Sequence, residues 1–170
     1  MFKLRFPKEE IIHYRDKYSY PLNDDKIRKQ TQIAVKRGFL LKQELLDICY
    51  WKTPRSQSKC SKNEDDFIID ITKVSLYTDN EKLKIEILTL LSGVKWPTAS
   101  TILHFCFPEQ YPILDYRALW SLSVDSPPSV YNFYFWWDYV MICREVSEEL
   151  GITIRELDKA LWQYSKENQI

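Results

Sequence analysis

Apolar residues recur at intervals of three and four along most of the chain, the period of a helix with one buried face. Ile27, Ala34 and Val35 mark the first such face, on a helix that Asp24 and Asp25 are placed to cap and that runs to Arg37. Gly38 interrupts it. A second helix fits Leu41 to Trp51, with Leu41, Leu45 and Ile48 on one stripe, and Pro54 ends it. The polar run from Gln57 to Lys62 predicts an exposed loop. Three further helices are announced by capping boxes, in which a Ser or Thr hydroxyl and a Glu three residues on satisfy each other's backbone amides. Ser61 with Glu64 precedes Phe67, Ile71 and Val74; Thr78 with Glu81 precedes Leu83, Ile87, Leu90 and Leu91. Thr153 with Glu156 precedes Leu157, Leu161 and Tyr164, and Ile152 is placed to staple onto Leu157. Phe67 to Ile71 is β-branched enough to fit a strand as well. Pro127-Pro128-Ser129 opens a long helix to Leu150 that is apolar nearly all round at first, and Gly151 closes it. The pattern predicts one compact all-α domain over residues 1–170. Pro7 and Pro21 limit helix in the first 25 residues, which reads as an N-terminal arm laid on the domain.

Composition narrows the function classes. A chain of 170 residues with 45% hydrophobic and 28% charged residues is globular and large enough for one core. Three glycines exclude a glycine-rich phosphate cradle of Rossmann or P-loop type. Net charge is zero, which argues against a wholly basic protein, yet Lys26 to Lys62 holds ten basic residues against Glu44 and Asp47 alone. That segment is either a basic footprint or a set of solvated helix faces. Cys49, Cys60, Cys106 and Cys143 show no CxxC pair and no zinc-like Cys–His spacing, and they do not bunch as iron–sulfur ligands. No metal, cofactor or iron–sulfur cluster is therefore expected, and buried free thiols in a reducing compartment are. The start of the chain lacks an apolar signal core, and the aromatic run Val130–Cys143 is too short and polar to span a membrane. A soluble, cytoplasmic protein is the expectation.

Residues 88 to 120 carry the chemistry. A helix ending at Leu91, a tight turn Ser92-Gly93-Val94-Lys95 and a helix with Pro97 in its first turn form a helix-hairpin-helix pattern. Val94 would plug the gap between the helices and Ala99 would let them approach. Such a hairpin aims backbone amides at one point, where a DNA phosphate binds; the bland alternative is any αα-hairpin with a glycine turn. An aromatic, proline-rich connection, Phe107-Pro108-Glu109-Gln110-Tyr111-Pro112-Ile113-Leu114, then leads to Asp115. Asp is a favoured N-cap, so Asp115 either caps the next helix, Tyr116 to Leu122, or does chemistry, or both.

On these residues the chain resembles the helix-hairpin-helix DNA glycosylases, the endonuclease III and alkyladenine glycosylase group. That family shows Leu-Pro-Gly-Val-Gly-x-Lys-Thr-Ala and then Val-Asp-Thr-His with a catalytic Asp. This chain has Leu91-Ser92-Gly93-Val94-Lys95-Trp96-Pro97-Thr98-Ala99 and then Leu114-Asp115-Tyr116-Arg117. The resemblance implies DNA contacts at Gly93, Val94, Lys95 and Thr98 and catalysis at Asp115. It departs at Lys95, which replaces the second glycine and would be strained at positive φ. It departs again at Pro97, which stands where the lyase lysine belongs, so no Schiff base forms there and the monofunctional branch is implied. Arg117, Lys52 and Arg55 are further phosphate-contact candidates, the last two from the aromatic and basic run Trp51 to Arg55. Trp96, Tyr111, Tyr116 and Trp120 are candidates to stack on a flipped base or to be core. His104, on the second helix of the pattern, reads as a packed or surface histidine rather than an acid–base group. The sequence thus predicts a double-stranded DNA-binding protein, a monofunctional glycosylase for an unidentified base. The alternatives are a non-catalytic relative whose hairpin binds DNA or a protein partner, and a structural or assembly module in which Asp115 is only a cap.

Overall fold

The computed structural model describes residues 2–22 and 24–169. Among them there are ten α-helices and no strand: α1 (Ile11–Asp16), α2 (Asp25–Arg37), α3 (Lys42–Lys52), α4 (Gln57–Cys60), α5 (Asp65–Tyr77), α6 (Glu81–Glu86), α7 (Trp96–Cys106), α8 (Tyr116–Ser121), α9 (Phe133–Leu150) and α10 (Ile154–Asn168). Short 3₁₀ turns cover Lys8–Glu10, Pro54–Ser56 and Ile87–Leu90. Phe67 to Ile71 is helical, within α5. No described helix is long and apolar enough to cross a membrane.

The helices form two compact units. A middle unit covers Leu22–Phe107, and a terminal unit combines Met1–Pro21 with Pro108–Ile170. In the middle unit α7 is central: Thr98 to Cys106 is buried without a break, and α2, α3 and α6 pack on it. A helix apolar all round has no solvent face to offer. Trp51 meets Phe105 edge-on at 5.0 Å, so it belongs to the core. In the terminal unit α10 presents Ile154, Leu157, Ala160 and Leu161 inward, with α1, α8 and α9 around it. The N-terminal segment is an arm only at first: the Lys3 and Arg5 amides donate to Leu122 and Ser121 carbonyls, both at 3.0 Å, before Ile11–Asp16 turns helical.

Several helix starts differ from the sequence expectation. Only the Thr153–Glu156 capping box forms as expected: the Glu156 amide donates to Thr153 Oγ1 at 3.2 Å and the Thr153 amide to Glu156 Oε2 at 2.8 Å. Glu64, not Ser61, stands at the N-cap of α5, because Ser61 is spent on the end of α4, where its hydroxyl donates to Ser58 O at 3.0 Å. Asn80 replaces Thr78 as the cap of α6 and accepts from the Leu83 amide at 2.9 Å. The long helix begins at Phe133 rather than near Ser129, with Asn132 accepting from the Phe135 amide at 3.0 Å. Asp24 takes the N-cap position of α2 without a side-chain cap bond. In the Asn80 and Asn132 caps a short amide side chain two residues beyond Thr78 and three beyond Ser129 takes the capping place. The expected loop Gln57–Lys62 instead begins with α4, whose Cys60 is fully buried.

Candidate functional site

The segment expected to form a hairpin comprises α6, its 3₁₀ extension Ile87–Leu90, the turn Ser92–Lys95 and α7. Gly93 has φ +79°, and a Cβ there would lie 2.7 Å from Cys60 Sγ and 2.8 Å from Cys60 N. Glycine is required on both counts. Asn63 rivets the turn to the end of α4: its side-chain oxygen accepts from the Ser92 amide at 2.8 Å, and its NH₂ donates to Cys60 O and Ser92 O at 2.8 and 3.0 Å. Val94 and Ala99 are fully buried. Lys95 has φ −111°, ordinary extended backbone, so the missing second glycine causes no strain. Pro97 lies in the first turn of α7.

Beside the turn lies a cavity of about 360 Å³ lined by Thr53, Arg55, Ser56, Lys59 and Lys95. Three cations and two hydroxyls thus converge from two chain segments some forty residues apart. Three other cations of the basic segment do have acidic partners: Lys26 pairs with Asp47 at 2.8 Å, Arg37 with Glu44, and Lys42 with Asp65 at 3.4 Å. Among the described residues no carboxylate pairs with Arg55, Lys59 or Lys95. Arg55 and Lys95 are therefore brought together, whereas Lys52 is not part of the lining. Thr98 is buried in the core and Trp96 is half-buried. Lys59 was missed because Gln57–Lys62 read as a plain loop, and Thr53 and Ser56 because the Trp51–Arg55 run pointed to contacts only through its charged members. The available signal was Lys59 one helical turn beyond Arg55.

In the terminal unit the connection to Asp115 is held from both sides. The Ile113 amide donates to the Asp158 carboxylate at 3.1 Å, and the Tyr139 hydroxyl donates to Ile113 O at 2.9 Å. Asp158 is 5% exposed. Sequence reasoning missed it, although a carboxylate on the stripe Ile154, Leu157, Leu161 was a visible signal. Asp115 caps α8, its Oδ2 accepting from the Arg117 amide at 3.1 Å, and the side chain remains half-exposed. Burial, helped by the Asp115 charge, raises the Tyr131 phenol above its ordinary value. The Arg117 guanidinium lies over the rings of Tyr116 and Trp162, at 5.2 and 5.5 Å, and Tyr116 is 56% exposed. Tyr111 is fully buried against Trp136 at 5.8 Å, a core position. Trp120 stacks on Tyr164 at 5.7 Å beneath the Arg5 guanidinium. Among the described residues no His, Cys, Asp and Glu cluster is arranged to hold a metal ion. Chemically, the middle unit offers an anion site, and the terminal unit offers an anchored carboxylate next to exposed aromatic and cationic groups.

Compared with family models, with curated proteins and with solved structures, the chain matches none.

Proposed function

We propose that this is a DNA-binding helix-hairpin-helix protein that hydrolyses an N-glycosidic bond, with Asp115 as the carboxylate and Pro97 excluding a lysine Schiff base. The observation that carries the reading is the cavity at the hairpin turn, where Arg55, Lys59 and Lys95 stand without carboxylate partners and Thr53 and Ser56 add hydroxyls. A phosphodiester, with one negative charge and two free oxygens, suits that lining better than a carboxylate-rich protein surface does. In the proposed reaction the Asp115 carboxylate stabilises oxocarbenium character on deoxyribose and orients water. Arg117 and the exposed Tyr116 would meet the strand in the terminal unit; Trp120, stacked on Tyr164 beneath Arg5, would not. The cap bond from the Arg117 amide to Asp115 favours the second reading, a non-catalytic DNA-binding module.

A screen of modified-base duplexes separates the two. Glycosylase activity predicts base release that leaves an intact abasic strand, broken only by alkali or heat. Asp115→Asn should lower base release by roughly 10²-fold or more, the scale of losing one transition-state electrostatic group, while the fold stays intact because Asn still caps. Base release unchanged in Asp115→Asn removes that residue from the mechanism. Duplex binding without base release on any substrate leaves the non-catalytic module.

A further inference from the structure

Cys49 lies in the last turn of α3 and Cys60 at the end of α4, and both thiols are fully buried. Their sulfurs are 2.8 Å apart, less than 1 Å beyond the roughly 2.05 Å of a disulfide bond. The eleven residues from one sulfur to the other form the stretch that carries Thr53, Arg55, Ser56 and Lys59, four of the five residues lining the anion cavity. Cys60 also forms the wall against which Gly93 is packed. The remaining cysteines differ: Cys106 and Cys143 are buried with no second thiol beside them among the described residues, and burial pushes the Cys106 thiol up to about 12. At Cys60 the neighbouring Cys49 sulfur works the other way and lowers the thiol, with Ser56 assisting; the Cys49 thiol is correspondingly raised.

We propose that Cys49 and Cys60 are a redox pair that hydrogen peroxide converts to a disulfide, stapling the cavity-bearing stretch to the end of α3. Both sulfurs are buried and neither lines the cavity, so the oxidant reaches Cys60 through local opening of the short α4 stretch. The Cys60 thiolate attacks one peroxide oxygen, the O–O bond breaks, and hydroxide leaves to take up the thiol proton as water. Cys60 is then a sulfenic acid. The Cys49 sulfur attacks it, the S–O bond breaks, and a second water leaves with the Cys49 proton. Two thiols have lost two electrons and one peroxide has become two waters. The staple alters anion binding because it fixes the stretch that supplies Arg55 and Lys59. Disulfide formation itself is independent of the DNA reading above.

The test uses the intact, folded protein and stoichiometric hydrogen peroxide, followed by alkylation in denaturant and peptide mapping. The expected result is loss of two of the four thiols, a mass decrease of about 2 Da and one Cys49–Cys60 cross-linked peptide, all reversed by dithiothreitol. Cys49→Ser should halt at a Cys60 sulfenic acid that dimedone traps. Cys106→Ser should oxidise as the wild type does. Inorganic phosphate affinity should change by about threefold or more between the reduced and oxidised forms, the scale of ordering one or two side chains. Four alkylated thiols after peroxide, or a cross-link mapped to any other pair, overturns the redox pair. Equal phosphate affinity in both forms overturns the staple's effect on the cavity.

Discussion

Gly93 is where backbone conformation and packing make the same demand. With φ at +79° and Cys60 against its Cα, Gly93→Ala combines an unfavourable backbone region with a clash against another backbone. A loss of about 3 kcal/mol is expected in chemical denaturation. A loss below 1 kcal/mol would mean that the α4 end yields freely. Asp47 is a second residue with a defined consequence. Burial works to raise its carboxyl, but hydrogen bonds from Lys26 at 2.8 Å, Gln30 at 2.8 Å and Gln43 at 3.0 Å outweigh it, and the group sits below its ordinary value. A depressed folded-state value means that the ionised form favours folding. The contribution is complete above the unfolded value near pH 4 and is lost as pH falls through the lower folded value. Urea melts of Asp47→Asn should therefore show a weaker fall in stability between pH 5 and pH 2 than the wild type. A parallel fall in both proteins would assign the acid sensitivity elsewhere.

Helices in this chain are set by their ends as much as by their stripes. At α10 the reciprocal Thr153–Glu156 cap satisfies two amides that the helix itself cannot. Thr153→Ala should cost about 1 kcal/mol in a thermal or urea melt. Ser61→Ala should cost no more than a few tenths, since Ser61 bonds the end of α4 and does not cap α5. Equal effects of the two substitutions would contradict the observed caps. The difference explains why a capping-box pattern predicted one helix start and missed two. The pattern counts a hydroxyl and a glutamate three residues apart, but whether the hydroxyl is already engaged by the preceding turn is decided by that turn.

Across the whole molecule, a net charge of zero conceals a local surplus of cations. Salt titration of duplex binding should show a steep log–log slope, and Arg55→Gln, Lys59→Gln and Lys95→Gln should each flatten it by roughly one unit. Lys8→Gln, in the terminal unit and paired with Glu149, should leave the slope unchanged. Identical slopes for all four variants would remove the cavity from the interface. Apolar periodicity together with cap, proline and glycine signals determined that the chain is helical, where α2, α3, α7 and α10 lie, and that helices stop at Gly38 and Gly151, both of which the structure holds in the left-handed region. These properties depend on residues within about one turn of each other, so they are visible along the chain. Contacts divide the chain at Pro21 and Phe107 into two compact units, one drawing on both chain ends. That division, like the meeting of Arg55 with Lys95, of Cys49 with Cys60 and of Ile113 with Asp158, depends on which helix faces which. Only the tertiary structure decides it, because each pairing is won by burying whole faces and not by any preference of the residues paired.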